Sequence, residues 1–305
     1  MRIETLRYDA RNIFMLMRPH FLIASALMFL MGFMAVSEPG DIWQAPYLAA
    51  LASVMLVQLS AALVNEYTDW EGDRYARKSL FAGGSGEVAT GRVSPSTALS
   101  LAIVSAAVAI ALGIFVNAEA EGRELFLPLL IASAVLAWGY SVKPMRFISS
   151  GFGELLVVGI LVWALPMMGI YLVTGAWTDD VLPYQFVLML FGLAAIIGVE
   201  LPDRQADIRS GKRNLTYRFG VKKVAEVQCV LVMTGYASVI ALVLSGYMGW
   251  VNLLVLATAI YSWAAATLIV APKHYDYEWA RASTTVMMSI FVIGMALALV
   301  DIVAF

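Results

Sequence analysis

The stretch that decides the architecture is Asn65-Glu66-Tyr67-Thr68-Asp69-Trp70-Glu71-Gly72-Asp73, which closes a long apolar run. Asn65, Asp69 and Asp73 recur every four residues, so a helix would place all three side chains on one face. Ionised carboxylates that must enter hydrocarbon cost about 2.5–3.5 kcal/mol each, so a regular row of them at a membrane edge needs a compensating ligand. The spacing therefore predicts a cation-binding helix end.

A second acidic motif repeats this spacing later in the chain. Asp203 and Asp207 also stand four residues apart at the end of an apolar run. Two acidic clusters on two helices could grip a diphosphate through divalent cations, which would neutralise the charge that builds on the leaving group. The alternative is that these aspartates only solvate loop entrances.

The composition is that of a membrane protein with several spans. Of 305 residues, 61% are hydrophobic and 14% are charged, against about 25% charged in a usual soluble domain. The only cysteine, Cys229, excludes an internal disulfide, and the two histidines, His20 and His274, lie too far apart in sequence to suggest a zinc or haem site. The metal chemistry must therefore rest on carboxylates, which select hard cations such as Mg²⁺ when phosphate oxygens complete the shell.

The apolar runs predict an all-α chain with nine transmembrane spans. Residues 1–18 mix arginines with apolar residues, which favours an amphipathic helix lying in the headgroup layer, with a cleavable signal peptide as the alternative. Runs of about 20 residues are long enough to cross the hydrocarbon. They lie at 20–37, 45–66, 96–118, 124–141, 151–174, 180–201, 221–247, 249–271 and 282–304.

The distribution of basic residues predicts the orientation of these spans. The N-terminal segment and the loops after even-numbered spans hold 19 of the 20 Lys and Arg residues, and Arg123 is the exception. By the positive-inside rule, the N-terminus and both acidic motifs face the cytoplasm, and the C-terminus lies on the opposite side of the cell membrane.

Two basic segments lie on the same predicted side as the acidic motifs. The loop after Asp207 contains Lys212 and Arg213, which could hold a phosphate or simply bind anionic lipid. Tyr140, Lys143 and Arg146 end the fourth span, where they could contact substrate or form an interfacial belt. Glu154 and Glu200 lie in or at the edge of apolar runs and are candidates for function or for helix ends.

Taken together, these motifs resemble those of the UbiA superfamily of intramembrane prenyltransferases. The family's N-x-x-x-D-x-x-x-D is matched by Asn65, Asp69 and Asp73, and its second D-x-x-x-D by Asp203 and Asp207. Further matches are Arg18-Pro19, Gly83-Gly84-Ser85-Gly86, Thr90-Gly91-Arg92-Val93-Ser94-Pro95, Tyr140-Ser141 and Gly211-Lys212-Arg213-Asn214-Leu215. The chain is most similar to the branch with 1,4-dihydroxy-2-naphthoate prenyltransferases.

The resemblance implies one domain over residues 1–305, with nine helices around a central cavity. It also implies transfer of a polyprenyl group from an allylic diphosphate to an aromatic or quinol-type acceptor, in menaquinone or related quinone or lipid biosynthesis. Two Mg²⁺ ions would be bound by Asn65, Asp69, Asp73, Asp203 and Asp207, of which the four aspartates would be catalytic. Substrate would be bound by Asn65, Tyr140, Lys143, Arg146, Lys212 and Arg213.

The chain departs from the family's pattern at three places, which leave the acceptor open. Glu66 stands where close relatives often have Asp, Pro202 stands where many have Arg, and Lys143 follows Tyr140 by three residues rather than four. One alternative is a membrane terpene cyclase of the same superfamily. Another is an anion carrier, which would place its site near the bilayer midplane. Membrane lipid is an expected partner and nucleic acid is not.

Overall fold

The computed structural model describes residues 9–77, 79, 81–82, 84–261 and 276–304, and every regular element among them is helical. The first half of this part of the chain forms short α1 and then the longer helices α2 to α5. These are α1 Ala10–Leu16, α2 Pro19–Met34, α3 Ala45–Asp73, α4 Pro95–Glu119 and α5 Phe126–Ser141.

The second half contains a broken helix and three long ones. A π-helical turn, Gly159–Ala164, joins α6 to α7, and a 3₁₀ segment, Trp250–Thr258, precedes the last helix. The remaining bounds are α6 Gly153–Val158, α7 Leu165–Thr174, α8 Leu182–Arg209, α9 Leu215–Leu244 and α10 Tyr277–Ala304.

The expected membrane architecture is confirmed in outline, but the count of nine spans is not. Among the described residues, six helices are long and apolar enough to cross a membrane, counting Gly153–Thr174 as one, and a seventh span results if α1 and α2, bent by 49°, are one unit. The helix α5 is shorter, with 16 residues. Residues 262–271 of the expected eighth span and residues 1–8 of the expected interfacial helix lie outside the described residues.

Small residues let the first helices pack closely. Ser60 of α3 donates a hydrogen bond to the Ala102 carbonyl of α4 at 2.7 Å and accepts one from the Trp138 indole of α5 at 2.9 Å. Gly32 of α2 lies so close to α7 that a Cβ there would overlap the backbone of Pro166. In lipid no hydrophobic force drives helices together, so they associate mainly through close packing of their backbones at small residues.

A threonine on the last helix compensates for the hydrogen bond that the proline within α8 removes. Pro202 has no N–H, so the carbonyl of Gly198, four residues earlier, loses its usual helical donor. The Thr284 hydroxyl of α10 donates to this carbonyl at 2.6 Å. The second acidic motif therefore follows a weakened point in α8 that α10 supports.

Arg123, the one basic residue outside the predicted cytoplasmic segments, caps a helix. Its guanidinium donates to the carbonyls of Leu172 at 2.8 Å and Val173 at 2.6 Å, near the C-terminus of α7. Cations at this end of a helix are stabilised by the unsatisfied carbonyls. The exception to the charge pattern thus has a local structural role.

Candidate active site

The two acidic motifs meet around one buried ammonium. Lys212 Nζ lies 2.8 Å from Asp69 Oδ2 and 3.1 Å from Asp207 Oδ1. All three side chains are less than a tenth exposed. Lys212 therefore links one aspartate of each acidic motif.

The turn between α8 and α9 places Lys212 at this point. The Lys212 backbone N–H donates to the Asp207 carbonyl at 2.9 Å, and the Asn214 side chain donates to Asp207 Oδ2 at 2.9 Å. Asn214 also caps α9, because its Oδ1 accepts from the Tyr217 N–H. Burial alone would lower the pKa of the Lys212 ammonium, but Asp69 and Asp207 raise the pKa well above its usual value. The two aspartates therefore stabilise the charged form of Lys212.

The rest of the first motif contacts α5 and the loop after α3. Asn65 Oδ1 accepts from the Ser141 hydroxyl at 2.8 Å. Glu66 accepts from the Ser85 N–H at 2.5 Å and the Ser85 hydroxyl at 2.7 Å. A Cβ on Gly84, whose φ is +61°, would collide with the Asp73 carboxylate, so glycine allows this loop to lie against the motif.

The outer residues of the motifs are less enclosed. Asp73 is half-buried and within electrostatic range of Lys212 and Asp69. Asp203 lies one helical turn before Asp207 and is partly exposed. The structure thus brings Asp69, Asp207 and Lys212 into direct contact and places Asp73 at the margin of the cluster. Asp203 lies within electrostatic range of Tyr277 instead.

The predicted phosphate-binding cations are distributed unevenly. Arg146 donates to the Ser210 carbonyl at 3.3 Å and so helps to hold the α8–α9 turn. Lys143 and Arg213 are exposed. Lys212 alone of these four lines the central cavity.

The cavity has a volume of about 270 Å³ and begins at the acidic cluster. Its polar end is formed by Arg18, Asn65, Asp69, Tyr140 and Lys212. The wall that continues from there is largely apolar and comes from α6, the π-helical segment, α8 and α10. It includes Leu156, Ile160, Leu161, Ile196, Val199, Phe291 and Met295. The cavity therefore fits an amphiphile with an anionic head and a long apolar tail.

Glu154 and Glu200 act together at the start of α9. Glu154 Oε1 accepts from the Leu215 N–H at 2.9 Å, and Glu200 Oε2 accepts from the Thr216 N–H at 3.3 Å and from its hydroxyl at 3.1 Å. Carboxylates are stabilised at a helix N-terminus by its free N–H groups. Both glutamates therefore fix the position of the turn that carries Lys212.

The residues at this cluster fit a divalent cation by their chemistry. Among the described residues, no three or more His, Cys, Asp or Glu side chains already form a compact metal shell. Asp69, Asp73 and Asp207 nevertheless supply hard oxygen donors and share one ammonium, so the cluster favours further positive charge. Such donor sets suit Mg²⁺, which binds through few carboxylates and completes its shell with phosphate oxygens and water.

Sequence reasoning singled out neither Ser25 nor Gln58 and set His20 aside, yet all three line the cavity. The available signal was that each is a polar residue inside an apolar run, which is uncommon in a membrane span without a partner or a function. An apolar run does not reveal which of its faces points inward. These residues could therefore be assigned to the cavity only from the packing.

Residues 25–299 match the model of the UbiA prenyltransferase family. A 1,4-dihydroxy-2-naphthoate octaprenyltransferase of Bacillus subtilis (strain 168) is 24% identical over 236 residues, which cover 76% of this chain and 73% of the relative. A digeranylgeranylglyceryl phosphate synthase of Hyperthermus butylicus is 27% identical over 221 residues, covering 70% and 68%. A UbiA homologue from Archaeoglobus fulgidus, solved with GPP and Mg²⁺, superposes with a TM-score of 0.60 at 17% identity over 94% of this chain and 99% of that one.

Proposed function

Since the chain belongs to the UbiA prenyltransferase family and is a prenyltransferase, we propose that it transfers a polyprenyl group from an allylic diphosphate to an aromatic or quinol-type acceptor in an Mg²⁺-dependent reaction. The observation that carries this proposal is the cavity, which joins the Lys212 cluster to a long apolar wall. The naphthoate substrate in the name of the Bacillus relative supports the aromatic class of acceptor. Quinone or related lipid biosynthesis is the corresponding role.

In this proposal the acidic cluster binds the diphosphate. Asp69, Asp73, Asp203 and Asp207, with Asn65, would hold Mg²⁺, two ions in all. When bound, Mg²⁺ would neutralise negative charge on the leaving diphosphate. The Lys212 ammonium and the Arg18 guanidinium, both at the polar end of the cavity, would contact phosphate oxygens directly.

The chemical step breaks the bond between C1 of the prenyl chain and the diphosphate oxygen, and the diphosphate keeps the electron pair. The acceptor then donates an electron pair to C1, forms the new bond and loses one proton. The apolar wall holds the tail and excludes water, which would otherwise capture the allylic cation. Tyr140 lines the polar end of the cavity, where its ring would face the site of bond cleavage.

We further propose that nine spans surround this cavity and that the acidic end faces the cytoplasm. The unequal distribution of Lys and Arg supports this orientation. Single cysteines placed in loops 74–92 and 208–219 of a Cys229→Ser background should react with an impermeant reagent only after the cells are opened. Reaction from outside intact cells would reverse the orientation.

The direct test incubates the purified chain with Mg²⁺ and labelled geranylgeranyl diphosphate, with and without 1,4-dihydroxy-2-naphthoate, and identifies the products by mass spectrometry. Prenylated naphthoate together with released diphosphate is the expected result. A cyclic hydrocarbon formed without acceptor would replace the transferase with a terpene cyclase. Absence of diphosphate release with any acceptor would contradict the proposal and favour a carrier.

A further inference from the structure

The two sides of the central cavity differ in chemistry. The side formed by α6, the π-helical turn, α8 and α10 is apolar. The side formed by α2 and α3 carries three polar residues, His20, Ser25 and Gln58, together with the small residues Ala61 and Ala62. A prenyl tail accounts for the first side and leaves the second unexplained.

Two polar atoms on this second side are buried without a hydrogen-bond partner among the described residues. Ser25 is fully buried and its Oγ has no partner, and the same holds for the Nε2 atom of His20. Each unsatisfied polar atom costs about 1–3 kcal/mol unless a ligand supplies the missing bond.

Several other helical hydroxyls in this chain donate to the carbonyl four residues earlier. Ser238 donates to the Thr234 carbonyl and Ser289 to the Thr285 carbonyl, each at 2.8 Å, in the manner usual for serine in a helix. Ser25 does not, although it lies within α2. Its hydroxyl is therefore unsatisfied at a place where a bound molecule would face it.

The polar groups run inward from the diphosphate end. Gln58 lies seven residues, or two turns, before Asn65 on α3, so both share a face at an axial separation of about 10 Å. Ser25 lies five residues after His20 on α2, about 7.5 Å along the axis and about 140° around it, so the two residues reach the cavity from different sides of α2. The small side chains of Ala61 and Ala62 leave room beside this row, directly next to Asn65 and Asp69.

Building on the proposed function, we infer that His20, Ser25 and Gln58 form the acceptor subsite, which binds a flat, hydroxyl-bearing ring against α2 and α3. A hydroxyl of the acceptor donates to His20 Nε2, and a second polar group bonds Ser25 Oγ. Gln58 offers both a donor and an acceptor.

Ser25→Ala separates this assignment from a purely structural role. If the hydroxyl only sits unsatisfied in the core, its removal is neutral or stabilising. If it binds the acceptor, the KM for 1,4-dihydroxy-2-naphthoate rises at least about tenfold, equal to one lost hydrogen bond, while the KM for geranylgeranyl diphosphate changes less than about twofold. His20→Leu should give the same split, and His20→Gln, which keeps a hydrogen-bond acceptor, should retain part of the affinity.

Ser283→Ala is the matched control. Ser283 is also a buried serine whose Oγ has no partner, but it lies on α10 outside the residues that line the cavity. Its replacement should leave both KM values unchanged. An acceptor KM that rises equally in Ser25→Ala and Ser283→Ala would overturn the assignment, as would unchanged acceptor KM values in Ser25→Ala and His20→Leu.

A binding measurement without turnover provides the second readout. Addition of 1,4-dihydroxy-2-naphthoate, without Mg²⁺ or diphosphate, should raise the Tm of the wild type, because a ligand that binds only the folded state stabilises it. The rise should disappear in His20→Leu and persist in Ser283→Ala. If the wild type makes prenylated product but the variants behave like it, the acceptor subsite is wrong and the proposed function stands. If the wild type neither binds nor converts any hydroxylated acceptor, both the acceptor subsite and the proposed function are wrong.

Discussion

Buried carboxylates lie at both ends of helix α8, and they are satisfied by different kinds of partner at each end. Near its first turn, Tyr184 donates to Asp301 Oδ2 at 2.6 Å, and the same oxygen accepts from the Gly249 N–H and the Asn252 amide at 2.7 Å each. These donors are neutral and come from two segments, α8 and the start of the 3₁₀ segment. Asp301 therefore fastens the end of α10 to its neighbours.

At the other end of α8, several carboxylates share one ammonium. Asp69 and Asp207 both contact Lys212, and Asp73 lies close by. Neutral donors can satisfy a single buried carboxylate, but a group of carboxylates in mutual range keeps a surplus of negative charge. The comparison teaches that burial alone does not mark a site, whereas uncompensated charge beside a cavity does.

The largest expected effect comes from removing one charge at the Lys212 end. Asp69→Asn and Asp207→Asn keep size and some hydrogen bonding but remove a hard anionic ligand, so product formation should fall at least about 100-fold, as when a main transition-state stabiliser is lost. Raising Mg²⁺ should recover part of the rate, and EDTA should silence the wild type. Asp179→Asn, at an exposed position, is the control. Equal activity of all three variants would show that Asp69 and Asp207 do not bind a catalytic metal ion.

The next effect separates Lys212 from the other basic residues of its loop. Lys212→Met leaves two buried carboxylates without their cation, and breaking a buried pair in this way costs about 3–5 kcal/mol. The Tm measured in EDTA should fall sharply and rise again with Mg²⁺, which can replace the missing charge. Arg213→Met, at an exposed neighbour, should leave the Tm unchanged. A Lys212→Met protein as stable as the wild type in EDTA would contradict the shared-charge description.

Asp301→Asn tests the other half of the comparison. The amide retains one accepting oxygen but lacks the charge that strengthens the three bonds, so unfolding should become easier by about 1–3 kcal/mol. The KM and kcat of the folded protein should change less than about twofold, since Asp301 lies outside the cavity lining. Thermal unfolding and steady-state assays on one preparation check both. A selective loss of turnover would give Asp301 a functional role.

The smallest effect is expected at Cys229. It is only partly buried on α9 and outside the residues that line the cavity. Cys229→Ser should alter activity less than about twofold and stability by no more than about 0.5 kcal/mol. Complete loss of turnover in a normally expressed Cys229→Ser protein would instead show that the thiol has a role in the reaction.

Spacing along one helix was enough to predict part of the site. The four-residue repeat of Asn65, Asp69 and Asp73 places them on one side of α3, and the basic loop after Asp207 supplies a cation. The sequence could not predict that Lys212 would contact both motifs, because that contact depends on how the turn folds back between α3 and α8. It also could not reveal that Asn65 accepts from Ser141, or that Glu66 holds Ser85.

The helical fold followed from composition, whereas helix lengths and inward faces did not. The apolar run at 151–174 reads as one span, but the structure inserts a π-helical turn at Gly159–Ala164 before Pro166. Several of the chain's helices are apolar on every face, so periodicity cannot distinguish the side toward lipid from the side toward the cavity. Only the packing of α2 against α3 shows that His20 and Ser25 line the cavity.

The contact between Thr284 and Gly198 has a consequence for how related sequences are compared. Pro202 interrupts the hydrogen bonding of α8 just before Asp203 and Asp207, and the replacement bond comes from α10. The orientation of the carboxylates in the second motif thus depends in part on α10, which contributes no acidic ligand. Two homologues with identical motifs can differ in the orientation of their carboxylates when one has Pro202 with Thr284 and the other has neither. A transfer of the acidic motif into another scaffold should therefore include Thr284 together with Pro202.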